Sequence, residues 1–571
     1  MQRNPFLNLG LLIVVALALS LTGCGATEVP GEVPEATVVA TEASAATQKP
    51  EPTTAIEEEP VVLRVGGLED VDCWNPFGCA STWTFGHLIN EGFTDHGPVP
   101  GCSGIPRLAE SWEVSEDGRT WTIHLYEGIT YSDGTPFTAQ TAADYFNWYV
   151  STEMKEWTAE TLYLESAEAI DELTFQYTTS APILNSPDYD FQWLYMMPVH
   201  IWGDVPAEEL FTHEVFPPVT TGPYVVAEHV PGSYLVYEAR PEYYRGKPPI
   251  DRIVYQIYGN IDAIASALIA GEIDMTMNEL PPDVAATLSD QPNIFVEVKV
   301  PGPHHMLVFN LAPGGTRHPA VEDVAVREAM DYAIDKDWIV DVALLGYGIT
   351  CPNNWACGPN YADQLNPDLE VTPYDVDRAN EILDQAGYLD SDKDGIRETA
   401  DGLPLEFRFY YVQEVPSHVV IAEAIVNWVK EIGITLIPEA VEAGTWDSSI
   451  RYERDFDVAL GYGAPDIDAA AMDFSYSCWS SEAGGVNWSG YCNPEMDDLV
   501  YQFWLSSDYE ASLEPLFQAQ ELLYNDRPQL ILAAQNDLQA WRTDRFEFPV
   551  NSCDLGGIMV NYWALSQAKP K

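Results

Sequence analysis

The twelve residues Asp390–Asp401, DSDKDGIRETAD, carry acidic side chains at loop positions 1, 3, 5, 9 and 12, with glycine at position 6. Hard oxygen ligands at that spacing converge on one divalent cation, and the glycine permits the sharp turn. The pattern predicts a calcium ligand set of Asp390, Asp392, Asp394, the carbonyl of Ile396, Glu398 and Asp401. Asp401 stands where the longer glutamate is usual, and Arg397 replaces an apolar residue. The loop falls between a predicted helix, Val376–Ala386, and a predicted strand, Leu405–Phe409, so it is not half of a helix–loop–helix pair. Calcium held there would be a structural ion, the alternative is an acidic surface turn without metal, and the chain requires no cofactor.

Reaction chemistry is harder to find. The sequence has no G-x-S-x-G elbow, H-E-x-x-H, phosphate-cradling Walker loop or G-x-G-x-x-G. Carboxylates and tryptophans are abundant enough for a glycosidase, but abundance does not place two carboxyls across a sugar bond. His304-His305, beside the apolar run MLVFNL, reads as structural. A tethered secreted hydrolase is the alternative class, and it requires a close carboxylate pair in a cleft.

Cys24 has different chemistry. Residues Leu7–Leu21 are almost wholly apolar after the single charge of Arg3, too short for a comfortable membrane span and laid out like a secretory signal. The segment LTGC (Leu21–Cys24) resembles the lipobox of bacterial lipoproteins, which implies lipidation of Cys24 after removal of residues 1–23. Gly25–Pro60, rich in Ala, Thr, Glu, Val and Pro, is predicted to be a disordered tether reaching on the order of 100 Å if extended. Eight further cysteines in an oxidising compartment favour disulfides over zinc ligation. Cys73 and Cys79, Cys351 and Cys357, and Cys478 and Cys492 are close in sequence. Cys102 and Cys553 can pair only if the C-terminus returns to the N-terminal region, and the pairing as a whole stays open.

The elements around these residues alternate. Asp117-Gly118 divides Ser111–Tyr126 into a hairpin with Trp121, Ile123 and Leu125 on one face. Thr138 is a predicted N-cap for a helix through Tyr149. Strands are predicted at Val61–Val65, Ser233–Ala239, Arg252–Tyr258 and Asp455–Tyr462, and helices at Ile261–Met275, Val321–Ile334 and from Ser417 to a C-terminal Gly433. Helix–strand alternation over 571 residues implies two α/β regions rather than one core. With 26 Lys+Arg against 89 Asp+Glu and a net charge of −63, the surface repels phosphate backbones, so nucleic acid is excluded as a partner.

Several segments together resemble one family. PRLAESWEVSEDGRTWTIHLYEGITYSDGTPFTA (Pro106–Ala139) is followed in order by TGPYVV (Thr221–Val226), ARPEYYRGKPPIDRIVYQI (Ala239–Ile257) and ALIAGEIDM (Ala267–Met275). VFNL (Val308–Leu311), VREAMDYAIDKDWIV (Val326–Val340), YDVDRANEILDQAGY (Tyr374–Tyr388) and NWSGYCNPEMDDLV (Asn487–Val500) complete the series. The chain resembles the family 5 extracellular solute-binding proteins, the dipeptide, oligopeptide and nickel receptors of ABC importers. The resemblance implies an α/β, two-lobed periplasmic-binding-protein-like fold of class II, with an extra domain inserted in lobe one. It assigns 61–105 and 216–306 to lobe I, 106–215 to the insertion, 307–535 to lobe II and 536–571 to a C-terminal return to lobe I. That return would rationalise a Cys102–Cys553 bond.

The resemblance also implies a function without catalysis: a monomeric, lipid-anchored receptor that closes on a peptide and delivers it to a permease. In peptide receptors an aspartate after a Gly-Trp strand end grips the peptide's ammonium group. Here the stretch is GYGAPDID (Gly461–Asp468), with Tyr462 at the tryptophan position and Pro465 nearest the aspartate position. Asp466, one residue later, and Asp468, three later, are the candidates, and the alternative is that this chain lacks the amine site. Trp74 and Phe77, after the first strand, and Trp479 are further candidate ligand contacts. Trp83 and Trp488 join Trp74 and Trp479 if the solute is an oligosaccharide, and a nickel chelate is the other alternative.

Overall fold

The computed structural model describes residues 59–77, 79, 85–95, 104–152, 163–183, 194–299, 302–352, 363–463, 472–549 and 562–571. Cys24, the signal segment, the tether as far as residue 58, Trp83, Asp466, Asp468, Cys102, Cys357 and Cys553 lie outside them.

Residues Val61–Lys571 form one compact unit built on two large mixed sheets. The first, in lobe I, has seven strands in the order Ile294–Lys299, Asp537–Arg542, Met275–Thr276, Val62–Gly67, Arg252–Ile257, Tyr234–Ala239 and Tyr224–Val230. Its middle is parallel: Val62–Gly67 pairs in parallel with both Arg252–Ile257 and Met275–Thr276. The second, in lobe II, has six strands in the order Gly348–Ile349, Gln529–Gln535, His304–Phe309, Val458–Gly463, Glu406–Val412 and Thr435–Val441. His304–Phe309 and Gln529–Gln535 are buried at every position, as strands covered on both faces must be.

The insertion is a four-stranded antiparallel sheet, Ala109–Val114, Thr120–Leu125, Thr174–Thr179 and Leu164–Ala169, backed by the helix Ala139–Ser151. Thr138 caps that helix through a reciprocal box with Thr141, and Trp121, Ile123 and Leu125 point into the insertion's core. The helix at Ile261 ends at Ala270, short of the expected Met275, because Gly271 turns left-handed at φ 75° and Met275 begins a strand.

Among the described residues the chain passes between the lobes at two places, at Gly302-Pro303, just ahead of the strand His304–Phe309, and at Gln535–Asp537. The first crossing lies ahead of the 306/307 boundary read from sequence, because His304 and His305 are buried in the lobe II strand. The two crossings run side by side, with the Gln535 amide donating to the Pro303 carbonyl at 2.8 Å. Cys73 is bonded to Cys79 and Cys478 to Cys492, and Cys351 is disulfide-bonded as well. Among the described residues no helix is long and apolar enough to cross a membrane.

Candidate functional site

Tyr462 is the next-to-last residue of the lobe II strand Val458–Gly463, directly opposite His305 in the neighbouring strand. Small residues on either side let this strand end lie flat: a methyl group on Gly461 or Gly463 would press on the Trp488 ring at 2.9 or 3.2 Å. Behind Tyr462 stand two buried imidazoles. Its ring lies 4.9 Å from that of His305 and 6.1 Å from that of His418, at the start of the helix Pro416–Lys430. His305 Nε2 lies 3.2 Å from Gln535 Oε1, whereas His305 Nδ1 and both ring nitrogens of His418 have no hydrogen-bond partner among the described residues. Burial pushes His305 down to about 4 and His418 to about 3, so both are neutral at ordinary pH.

The Tyr462 hydroxyl crosses to lobe I. It donates to the Glu279 carboxyl at 2.8 Å, with the other carboxyl oxygen at 2.9 Å. Gln535 Nε2 donates to the same carboxyl at 2.6 Å. Glu279 follows the lobe I strand Met275–Thr276, so the three residues come from lobe I, lobe II and the second crossing. Burial and the nearby Asp537 carboxylate push Glu279 up to about 7. These groups are part of the lining of a cleft of about 450 Å³, within the size range of small-solute sites. Its apolar walls come from lobe I at Pro281 and Pro282 and from lobe II at Val342, Val415 and Val420, while Asp283 and Glu414 add acidic edges. The arrangement suits capture between lobes, with a few polar groups set in a lining that also carries apolar side chains from both.

The insertion also approaches lobe II farther out, where a methyl group on Gly118 would stand 3.5 Å from the Ser507 Cβ. Burial and the lobe II Asp473 carboxylate push the phenol of Tyr163, from the insertion, up. Asp473 accepts from the Trp479 indole N–H at 3.0 Å and from the Ser477 hydroxyl, and burial holds its carboxyl above the usual range. Trp479 is thus a half-buried ring anchored to the Asp473 carboxylate.

Trp74 and Phe77 are placed otherwise than expected. Trp74 donates to His229 at 3.3 Å and packs in the core of lobe I, and Phe77 packs against Trp148 and Trp202 in the insertion. At 7% and 5% exposure their rings are taken up by packing. Trp488 leans edge-on against Trp446, with centroids 5.1 Å apart.

The acidic loop closes only in part. Oxygens of Asp390, Asp392 and Glu398 lie within 4.8 Å of one another, but Asp394 and Asp401 stand outside that group. Asp394 instead accepts from the Ile396 amide at 2.8 Å, and Asp401 belongs to a separate turn between Thr399 and Leu403. Backbone amides of Lys393 and Gly395 already bond to Asp390, at 2.7 and 3.1 Å.

Glu279, Gln535, His418 and Asp473 were not legible as site residues. Gln535 and Glu279 are 256 positions apart, and only the location of the second crossing would have pointed to Gln535.

Comparison with known proteins agrees with this geometry. The model for bacterial extracellular solute-binding proteins, family 5 (middle), matches residues 104–485. The nickel-binding periplasmic protein of Escherichia coli is 30% identical over 380 residues, covering 64% of this chain and 68% of that protein. The dipeptide-binding protein of the same organism is 26% identical over 459 residues, covering 75% and 80%. The periplasmic oligopeptide-binding protein of a Thermotoga maritima ABC transporter shares the fold, with a TM-score of 0.79 at 22% identity over 89% of this chain and 99% of that one. Two lobes joined by paired crossings, a cleft lined from both sides and a family match over most of the folded body lead to one conclusion: this chain is a member of the family 5 bacterial extracellular solute-binding proteins.

Proposed function

We propose that this protein is the peptide-capturing receptor of an ABC importer, held at the outer face of the membrane by a lipid on Cys24. The observation that carries this reading is the cleft lined by Glu279 and Tyr462, whose walls come from both lobes and whose full set of contacts exists only when the lobes are together. A solute that touches both walls favours closure by the difference in its affinity for the closed and open forms. Peptide is the leading solute because the dipeptide-binding relative aligns over three quarters of the chain. A nickel chelate is the second reading, supported by the 30% identity to the nickel-binding protein. The receptor works as a monomer and passes its solute on unchanged. Calcium at Asp390, Asp392 and Glu398 is proposed as a structural ion only.

Native mass spectrometry of the protein freshly isolated from its own host tests the assignment. A retained mass that sequences as a peptide supports it. A ladder of hexose masses or a nickel-bearing chelate replaces peptide with that solute.

A further inference from the structure

We propose that Glu279 is a proton-responsive latch, whose carboxyl group ties the lobes together when closed and favours their parting when it ionises. The inference rests on the two-lobed receptor reading and adds to it a control of closure.

The geometry is a convergence on one carboxyl. Tyr462 donates to it from lobe II and Gln535 from the crossing, while Gln535 Oε1 faces His305 Nε2 behind it. Gln535 Nε2 also lies 3.3 Å from the Tyr462 hydroxyl, closing a triangle of polar atoms at the pivot. Opening the lobes pulls Tyr462 from Glu279 and returns the carboxyl to water.

The charges around the latch decide its sign. Asp537, on the second crossing, faces Glu279 with like charge and is itself raised by burial, with Lys299 opposing that rise. Asp283 and Glu414, along the same cleft, add only negative charge. His305 and His418, on the lobe II side, titrate at about 4 and 3, and burial and Glu279 raise the Tyr462 phenol. Glu279 titrates at about 7 when closed, whereas a water-exposed glutamate titrates near 4.5. Closing therefore takes up a proton. The closed form is fully favoured below the exposed value, loses ground as pH rises towards 7, and levels off above it. The histidines pack against Tyr462 and Gln535 of their own lobe, so their neutral state is tied to that packing. Any wetting of them on opening would favour the open form as pH falls, opposite in sign to Glu279.

The test uses the mature full chain without solute. Dyes are carried by unnatural amino acids at Ile170 of the insertion and Ile437 of lobe II, both more than half exposed. Single-molecule energy transfer then reports the closed-to-open ratio from pH 5 to 8. The wild type is expected to lose closed population by up to about tenfold per pH unit between 5 and 7 and to change little above. Glu279→Gln, which keeps an acceptor for Tyr462 without a titrating proton, is expected to be flat and to stay closed at pH 7.5. Tyr462→Phe, which keeps the ring and removes the donor, is expected to open at every pH. An equal slope in wild type and Glu279→Gln, or no slope in wild type, overturns the latch. Because no peptide is added, either result leaves the peptide assignment to its own test.

Discussion

Gly302 and Gln535 pass so closely that a methyl group on Gly302 would collide with the Gln535 carbonyl oxygen and stand 2.6 Å from the Asp537 amide nitrogen. The two crossings between lobes are thus packed backbone on backbone, and only a residue without a side chain lets them lie together.

Gly302→Ala is expected to force the crossings apart and lower stability by about 1–3 kcal/mol. Urea unfolding monitored by tryptophan fluorescence reads this as a lower midpoint. An unchanged midpoint would mean the crossings have room to shift.

Asp331 lies at the centre of a buried network in lobe II. Lys336 approaches one of its oxygens at 2.8 Å, and Thr372 donates to the other at 2.6 Å, with Arg527 at 3.4 Å. Removing the carboxylate strands two cations, so Asp331→Ala is expected to cost about 3–5 kcal/mol in the same unfolding assay. A loss below about 1 kcal/mol would show that water reaches Lys336.

How much of this was legible follows from the range of each interaction. The hairpin at Asp117-Gly118, the Thr138 cap and the stop at Gly433 depend on neighbours within a few residues, and the structure has all three. Membership of the family was readable from ordered segments such as Pro106–Ala139, because strand and turn residues recur there in a long contiguous run. The site was much less so. Trp74 and Phe77 follow a strand end, as cleft residues do, yet His229 and Trp202, more than 120 positions away, draw them into cores. Tyr462 was named from the sequence and lines the cleft, but its partner Glu279, 183 positions earlier, has no local mark that separates it from other glutamates.

Asp466 carries the proposed grip on a peptide's ammonium group. Asp466→Asn is expected to weaken peptide binding at least tenfold, about 1.4 kcal/mol, by isothermal titration. Unchanged affinity removes Asp466 from the site and turns attention to Asp468.

The Asp390 loop is tested by heat. With calcium bound, the melting temperature is expected to rise in millimolar calcium relative to chelator, as for any ligand that binds only the folded form. Asp390→Asn is expected to abolish the difference. Identical melting of the wild type with calcium and with chelator makes the loop a turn held by its own backbone amides.

The central claim is that solute capture closes two lobes about the paired crossings. Small-angle X-ray scattering of the mature protein, with and without a saturating peptide, tests it most directly. The account predicts a smaller radius of gyration with peptide bound. Demonstrated binding with unchanged scattering would contradict it.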